Sequence, residues 1–121
     1  MAQTILIVED DDLNMRFFND ILKIAGYETI QSIDGKNVLS IVKERRPDLI
    51  IMDIQLPVQS GVELTRVLKS KGTLQHIPII AVTAFAKKYN EEMIRDAGCD
   101  DYIEKPVSVP VFLETVAKHL S

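Results

Sequence analysis

Cysteine is almost absent from this chain, and secretory and membrane-spanning features are missing. Cys99 is the only cysteine, which rules out an internal disulfide. The start, Met1-Ala2-Gln3-Thr4, lacks the basic and long apolar regions of a secretory signal. The longest apolar runs, such as Leu49-Ile50-Ile51-Met52, are far shorter than a membrane span. We therefore expect a protein of the reducing cytoplasm that buries these runs as strands.

The chain also lacks any run of lysine or arginine. Its formal net charge is −4, so neither nucleic acid nor a membrane surface is an expected partner. With 46% apolar and 26% charged residues, the composition is that of a folded protein rather than a disordered one. A length of 121 residues predicts one domain over residues 1–121, with no room for a separate output domain.

Five short apolar or β-branched stretches alternate with amphipathic helical stretches. They predict strands at Thr4–Val8, Glu28–Ser32, Asp48–Met52, Ile77–Val82 and Asp101–Glu104. Because the first, third and fourth are apolar throughout, we place them in the centre of a parallel sheet and the other two at its edges. The predicted fold is a doubly wound α/β domain of five parallel strands in the order 2-1-3-4-5, flanked by five helices.

Capping residues, glycines and prolines mark the ends of these helices. They are Asp11 or Asp12 and Gly26 for the first helix, Asp34-Gly35 and Pro47 for the second, Ser60-Gly61 for the start of the third, Asn90 and Gly98 for the fourth, and Ser108 for the start of the fifth. One helix therefore follows each strand, as βαβ units require.

Acidic residues follow the first and third predicted strands. In open parallel sheets, ligands bind beyond the carboxyl ends of the strands where the winding reverses. Glu9 and Asp10 end the first strand and Asp53 follows the third, so neighbouring strands would bring three carboxylates together. An all-oxygen cluster with open positions suits Mg²⁺, with Mn²⁺ as an alternative. Single acids in such loops often only cap helices, but three together favour a metal site.

Asp53 is the best candidate for a nucleophile. It comes directly after a buried strand, and the following Pro57 and Gly61 shape the loop without making Asp53 a helix cap. A carboxylate can attack phosphorus to form an acyl phosphate, and a bridging metal spreads the negative charge. We expect Asp10 to ligate the metal directly, Glu9 to do so through a water, and the backbone carbonyl of Gln55 to add an oxygen.

Two further residues lie at the same predicted edge. Lys105, at the end of the fifth strand and before Pro106, could reach a phosphoryl oxygen that the metal does not cover. A cis bond before Pro106 would turn its loop inward. Thr83 follows the fourth strand and could offer its hydroxyl to the same group. Taken alone, each could be an ordinary surface lysine or strand terminus.

These residues form motifs that resemble the receiver domain of two-component response regulators. The motifs are Glu9-Asp10, the spacing from Asp53 through Pro57 to Gly61, Thr83-Ala84 and Lys105-Pro106, within a resemblance from Thr4 to Leu120. Each is weak alone, but their order among the predicted elements is specific. The resemblance implies that Asp53 accepts a phosphoryl group from a phosphohistidine on a histidine kinase or phosphotransfer protein. It also implies Mg²⁺ dependence and, as the only catalysis, self-phosphorylation and slow self-hydrolysis.

The family resemblance further implies a conformational switch. The Thr83 hydroxyl would move toward the phosphoryl group and Tyr102 would turn inward behind it, although Tyr102 could also be a plain edge-strand aromatic. A downstream protein would bind the face of the fourth helix, fifth strand and fifth helix. The first helix around Asn14, Met15 and Phe18 would dock the kinase. Residues 9–15, 53–57 and 83–86 are similar to single-domain bacterial regulators of cell polarity and division, which partners recruit to a cell pole.

Two positions qualify this resemblance, and two alternatives stay open. Glu9 stands where many receivers have Asp, and Phe85 lies where it could hinder the hydrolytic water, so we expect slow self-dephosphorylation. A Mg²⁺-dependent phosphohydrolase would usually need an acid where this chain has Gln55, and a substrate cap. The chain could instead be a receiver excised from a hybrid histidine kinase, although Met1 argues against that. We expect a monomer or a weak dimer.

Overall fold

The protein is a three-layer α/β structure with one parallel sheet at its centre. The computed structural model describes residues 2–54, 56, 60–84 and 88–120, with residues 88–90 described by their backbone alone. The five strands pair in parallel in the order β2-β1-β3-β4-β5, which confirms the predicted fold class and strand order. Within the described residues, no helix combines the length and apolar character needed to cross a bilayer.

Strands and helices alternate along the whole described chain. The elements are β1 (Thr4–Val8), α1 (Asp12–Ile24), β2 (Glu28–Ser32), α2 (Val38–Arg45), β3 (Leu49–Asp53), α3 (Gly61–Ser70), β4 (Ile79–Thr83), α4 (Lys88–Ala97), β5 (Asp101–Glu104) and α5 (Val109–Leu120). The predicted ends of β3 and β4 were each one residue short. Asp53 pairs with Val82 and Thr83 with Glu104, so Asp53 and Thr83 are the last residues of their strands rather than the residues after them.

Both faces of the sheet are buried, which explains why the central strands are apolar throughout. On one face, alternate strand residues such as Ile7 and Ile51 pack with Phe18 of α1 and Phe112 of α5. The two phenylalanine rings stack with centroids 5.2 Å apart. The opposite set of strand residues packs against α2 and α3. Since neither face meets water, no strand position needs a polar side chain until the carboxyl ends are reached.

The predicted helix starts are confirmed for α1, α3 and α5 but wrong for α2 and for α4, which begins at Lys88 and not at Asn90. Asp11 caps α1 by accepting from the Asn14 amide, and Ser60 caps α3 by accepting from the Val62 amide. Asp34 instead accepts from the amide of Lys36, and Gly35 has φ of 79°, so these residues form a turn. The helix starts at Val38 after this turn, because a side chain bonded two residues ahead competes with helical hydrogen bonding.

Lys69 fastens α3 to the end of the sheet where β4 and β5 begin. Its ammonium donates to the carbonyls of Gln75 and Ile77, each at 3.0 Å, and to Asp100 Oδ2 at 2.8 Å. Asp100 Oδ2 also accepts from the Ile79 amide at 2.8 Å. One cation therefore satisfies three oxygens from the segments that connect α3 to β4 and α4 to β5.

We predict that Lys69→Met destabilises the protein because it leaves these oxygens without their donor. The expected loss in the free energy of unfolding is about 1 to 2 kcal/mol, since the site is partly open to water. Urea unfolding measures it. Lys71→Met is the matched control, because Lys71 is exposed and near in sequence, and it should change little. Equal stability of the two variants would contradict the role given to Lys69.

Candidate functional site

Three acidic side chains meet at the carboxyl edge of the sheet. Glu9 and Asp10 follow β1, Asp53 ends β3, and these two strands are paired. One carboxylate oxygen from each residue lies within 4.8 Å of the other two. Glu9 is 1% exposed and Asp53 3% exposed, whereas Asp10 faces solvent. Two of the three negative charges are thus held out of water and need a counter-charge.

Lys105, which follows β5 at the same carboxyl edge of the sheet, supplies part of that counter-charge. Its ammonium lies 3.3 Å from Glu9 Oε1 and 3.9 Å from Asp53 Oδ1. The Lys105 amide donates to the Thr83 carbonyl, which fixes the loop beside β4, and the Lys105–Pro106 bond is cis as predicted. Glu9 Oε2 also accepts from the Asp11 amide at 3.1 Å. Among the described residues, one cation faces three carboxylates, which leaves the cluster short of positive charge.

Thr83 ends the strand that lies between Asp53 and Lys105. It is 2% exposed. On one side of β4, Val82, the residue before Thr83, pairs with Asp53 of β3. On the other side, Thr83 itself pairs with Glu104 of β5. The threonine therefore occupies the same edge of the sheet as the acidic residues, one rung from the candidate nucleophile.

Gly61 contacts the backbone of Asp53, a role that sequence reasoning missed. A Cβ at Gly61 would lie 2.2 Å from the Asp53 carbonyl oxygen and 2.9 Å from Ile54 Cα. The Gly61 amide donates to the Ile54 carbonyl at 3.0 Å. The spacing of eight residues between Asp53 and Gly61 was the sequence signal for this contact. From the sequence, Gly61 was interpreted only as a residue that shapes the loop. Glycine is needed because the start of α3 presses directly on the end of β3.

Tyr102 lies on β5 and makes its side-chain contact with α4. Its hydroxyl donates a hydrogen bond to Glu91 Oε1 in the first turn of that helix. This carboxylate raises the pKa of the Tyr102 phenol, and burial adds to the effect. Two predicted positions, Gln55 as a carbonyl ligand and Phe85 at the pocket mouth, lie outside the described residues, as does Pro57.

The donor set fits a hard divalent cation. The three clustered side chains, all from described residues, offer carboxylate oxygens, the type that Mg²⁺ prefers, and exposed Asp10 leaves one side open to water or phosphate. A bound divalent ion would balance the charge that Lys105 does not. The same edge then combines a carboxylate, a cation site and an ammonium group close together. Phosphoryl transfer to a carboxylate requires these three groups.

Residues 5–117 match the family described as "Response regulator receiver domain". The chain belongs to this family. A receiver from Brucella anthropi, the polar-differentiation response regulator DivK, is 53% identical over 120 residues, which cover 99% of this chain and 98% of that protein. DivK of Brucella ovis is 52% identical with the same coverage. The chain is accordingly a phosphoacceptor response regulator domain.

Solved receiver structures share this fold almost completely. A putative response regulator from Chloroflexus aurantiacus superposes with a TM-score of 0.95 at 28% identity, over 99% of this chain and 98% of that one. The receiver domain of a sensor histidine kinase from Pseudomonas aeruginosa, with a magnesium ion coordinated in its active site cleft, gives 0.92 at 31% identity. That comparison covers 99% of this receiver and 98% of the other. Receiver domains bind Mg²⁺ at an acidic pocket of this kind.

We predict that Gly61→Ala destabilises the receiver because the added methyl group overlaps the Asp53 carbonyl. The expected loss is about 1 to 3 kcal/mol in the free energy of unfolding, the range for forced overpacking. Gly72→Ala is the control, since a Cβ there meets nothing within 4 Å. It should shift stability by no more than about 0.5 kcal/mol. Urea unfolding compares them, and equal midpoints would argue against the close approach at Gly61.

Proposed function

We propose that this chain, as one receiver domain over residues 1–121, is a switch phosphorylated on Asp53. The donor is a phosphohistidine on a histidine kinase or a phosphotransfer protein. The observation that carries this proposal is that the buried Asp53 carboxylate lies within 4.8 Å of oxygens of both acids after β1 and 3.9 Å from the ammonium of Lys105. A phosphohydrolase is disfavoured because the family match covers nearly the whole chain.

In the proposed transfer, an Asp53 carboxylate oxygen attacks phosphorus while the bond from phosphorus to the donor imidazole nitrogen breaks. The bonding pair leaves with the imidazole, and the product is an acyl phosphate on Asp53. Lys105 already lies against Asp53 and Glu9, so its ammonium can pair with a phosphoryl oxygen after a small movement. The hydroxyl of Thr83, the residue after the one that pairs with Asp53, would donate a hydrogen bond to another phosphoryl oxygen.

Asp10 and Asp53 would hold Mg²⁺ directly, Glu9 through a water, and the Gln55 carbonyl would complete the protein ligands. Mn²⁺ would fit the same donors. Bound there, the ion supplies the positive charge that the phosphoryl oxygens need during transfer. The chain's own contribution is to hold two buried carboxylates close together before any phosphoryl group arrives.

We predict that Mg²⁺ stabilises the protein and that Asp10→Asn removes most of this effect. Relief of repulsion among the three carboxylates favours the metal-bound folded state. At a Mg²⁺ concentration 100 times the dissociation constant, binding adds about 2.7 kcal/mol to stability. Asp12→Asn is the matched control, because exposed Asp12 lies two residues on in α1 and outside the cluster. Thermal unfolding with and without Mg²⁺ reads the effect, and equal Mg²⁺ responses of the two variants would contradict it.

We predict that incubation with phosphoramidate adds one phosphoryl group to the wild-type protein only when Mg²⁺ is present. Asp53→Asn should gain none, since an amide is not the required nucleophile. Intact-mass spectrometry measures the gain, and circular dichroism checks that the variant is folded. Phosphorylation of Asp53→Asn, or a gain that is indifferent to Mg²⁺, would show that the proposed site is wrong.

The kinase or phosphotransfer protein is proposed to dock beside α1. Leu13 is 75% exposed and Phe17 36% exposed there, and they line a groove with Pro106 and Val107. Lys105 lines the same groove and also contacts Asp53, so this surface adjoins the phosphorylation site. Of the residues predicted for docking, Asn14 lines the groove from a partly exposed position. Phe18 also lines it but is only 1% exposed and belongs to the core, and Met15 is buried and lines a neighbouring groove. A helical partner could cover the apolar side chains while presenting its histidine to Asp53.

Phosphorylation is proposed to shift a two-state equilibrium that is read by a downstream protein on the face of α4, β5 and α5. Thr83 and Tyr102 would move together, as the family resemblance implies, and the coupling would be about 1 to 3 kcal/mol. The identity with DivK supports a role in cell polarity or division, in the bacterial cytoplasm with recruitment to a pole. We propose a monomer with slow self-dephosphorylation as its only hydrolytic activity.

A further inference from the structure

The hydroxyl of Tyr102 makes a hydrogen bond to a carboxylate side chain. It donates to Glu91 Oε1, which belongs to the first turn of α4, and the backbone amide of Tyr102 donates to Asp101 Oδ1 at 2.9 Å. Both residues of the hydroxyl contact are partly buried. The side chain therefore ties the edge strand β5 to α4 on the face where a downstream protein is proposed to bind.

A phenol has one proton to donate. Tyr102 cannot keep its bond to Glu91 and at the same time donate to a new acceptor beneath β4. Any arrangement in which the ring turns inward behind Thr83 must break the Glu91 contact first. Because the acceptor is a carboxylate, this bond is stronger than one to a neutral oxygen.

We propose that Glu91 is a positioning residue that holds Tyr102 in its resting arrangement and thereby opposes activation in the absence of phosphorylation. This inference rests on the proposed function, in which Tyr102 is part of the switch. A contact made in only one of two states biases the equilibrium toward that state by its own free energy. The same bias must weaken the binding of anything that prefers the other state.

Other charges near Tyr102 act less directly. Glu104 on β5 also raises the pKa of the phenol, while Arg95 on α4 lowers it. Among these groups, Glu91 has the largest effect on the pKa of Tyr102, because it is the one that accepts a hydrogen bond from the hydroxyl. A titration of the Tyr102 phenol therefore reports on the Glu91 contact separately from the chemistry at Asp53.

The test measures the affinity of the protein for beryllofluoride, a mimic of the phosphoryl group, in the presence of Mg²⁺ by fluorine NMR. Glu91→Ala should bind it about three- to tenfold more tightly than wild type, the range available from one hydrogen bond to a charged group near solvent. Glu91→Gln keeps a neutral acceptor, so it should show a smaller gain. Glu92→Ala, which removes an exposed carboxylate from the next position of α4, is the matched control and should bind as wild type does.

Two further measurements separate positioning from a general structural effect. In a Tyr102→Phe background, Glu91→Ala should no longer change the affinity, because the hydroxyl that it positions is absent. NMR titration of ring-labelled tyrosine should show the Tyr102 pKa falling toward its usual range in Glu91→Ala and not in Glu92→Ala. The other tyrosines, Tyr27 and Tyr89, are distinguished by their own phenylalanine variants.

Each outcome decides the matter. Unchanged affinity in Glu91→Ala, with wild type still binding beryllofluoride, would overturn the role of Glu91 and leave the phosphorylation site intact. A gain that persists in the Tyr102→Phe background would also overturn it, since Glu91 would then act by another route. If wild type failed to bind beryllofluoride at all, the proposed function itself would fail, and the inference with it.

Discussion

Electrostatic crowding at the carboxyl edge of the sheet is the constraint on which the rest of this receiver depends. Glu9 and Asp53 are almost completely buried within a few ångströms of each other, and Lys105 reaches from the end of β5 to contact both. Like charges in a poorly solvated place repel strongly unless a cation accompanies them. The strand order β1-β3-β4-β5 brings the groups together, and burial of the core on both sheet faces supplies the folding free energy that offsets their repulsion.

The chemistry follows from the same crowding. A cluster of three carboxylates suits a hard divalent ion, and in the proposed function such an ion together with Lys105 would offer positive charge to the oxygens of an incoming phosphoryl group. The start of α3 fits so closely against Asp53 that only glycine is accommodated at position 61. The proposed nucleophile, Asp53, is therefore held by backbone contacts as well as by its charged neighbours.

Much of this could be predicted from the sequence, because apolar runs and capping residues report local structure directly. The strand order, the helix caps Asp11 and Ser60, and the positions of Glu9, Asp10 and Asp53 at one edge all follow from pattern and topology. The turn at Asp34-Gly35 was mistaken for a helix start because a turn and a cap use the same residues. The contacts of Gly61 with Asp53 and of Glu91 with Tyr102 join distant segments, and no local pattern records the distance between them.

The clamp made by Lys69 and Asp100 lies where β4 and β5 begin, at the opposite end of the sheet from Asp53. Five residues of strand separate the two edges by about 16 Å. The proposed phosphorylation of Asp53 replaces one carboxylate charge by almost two phosphoryl charges, so it adds about one negative charge. The joint that holds α3 to the sheet is thus built from groups about 16 Å away from the proposed phosphorylation site, and not from the residues that would gain and lose charge.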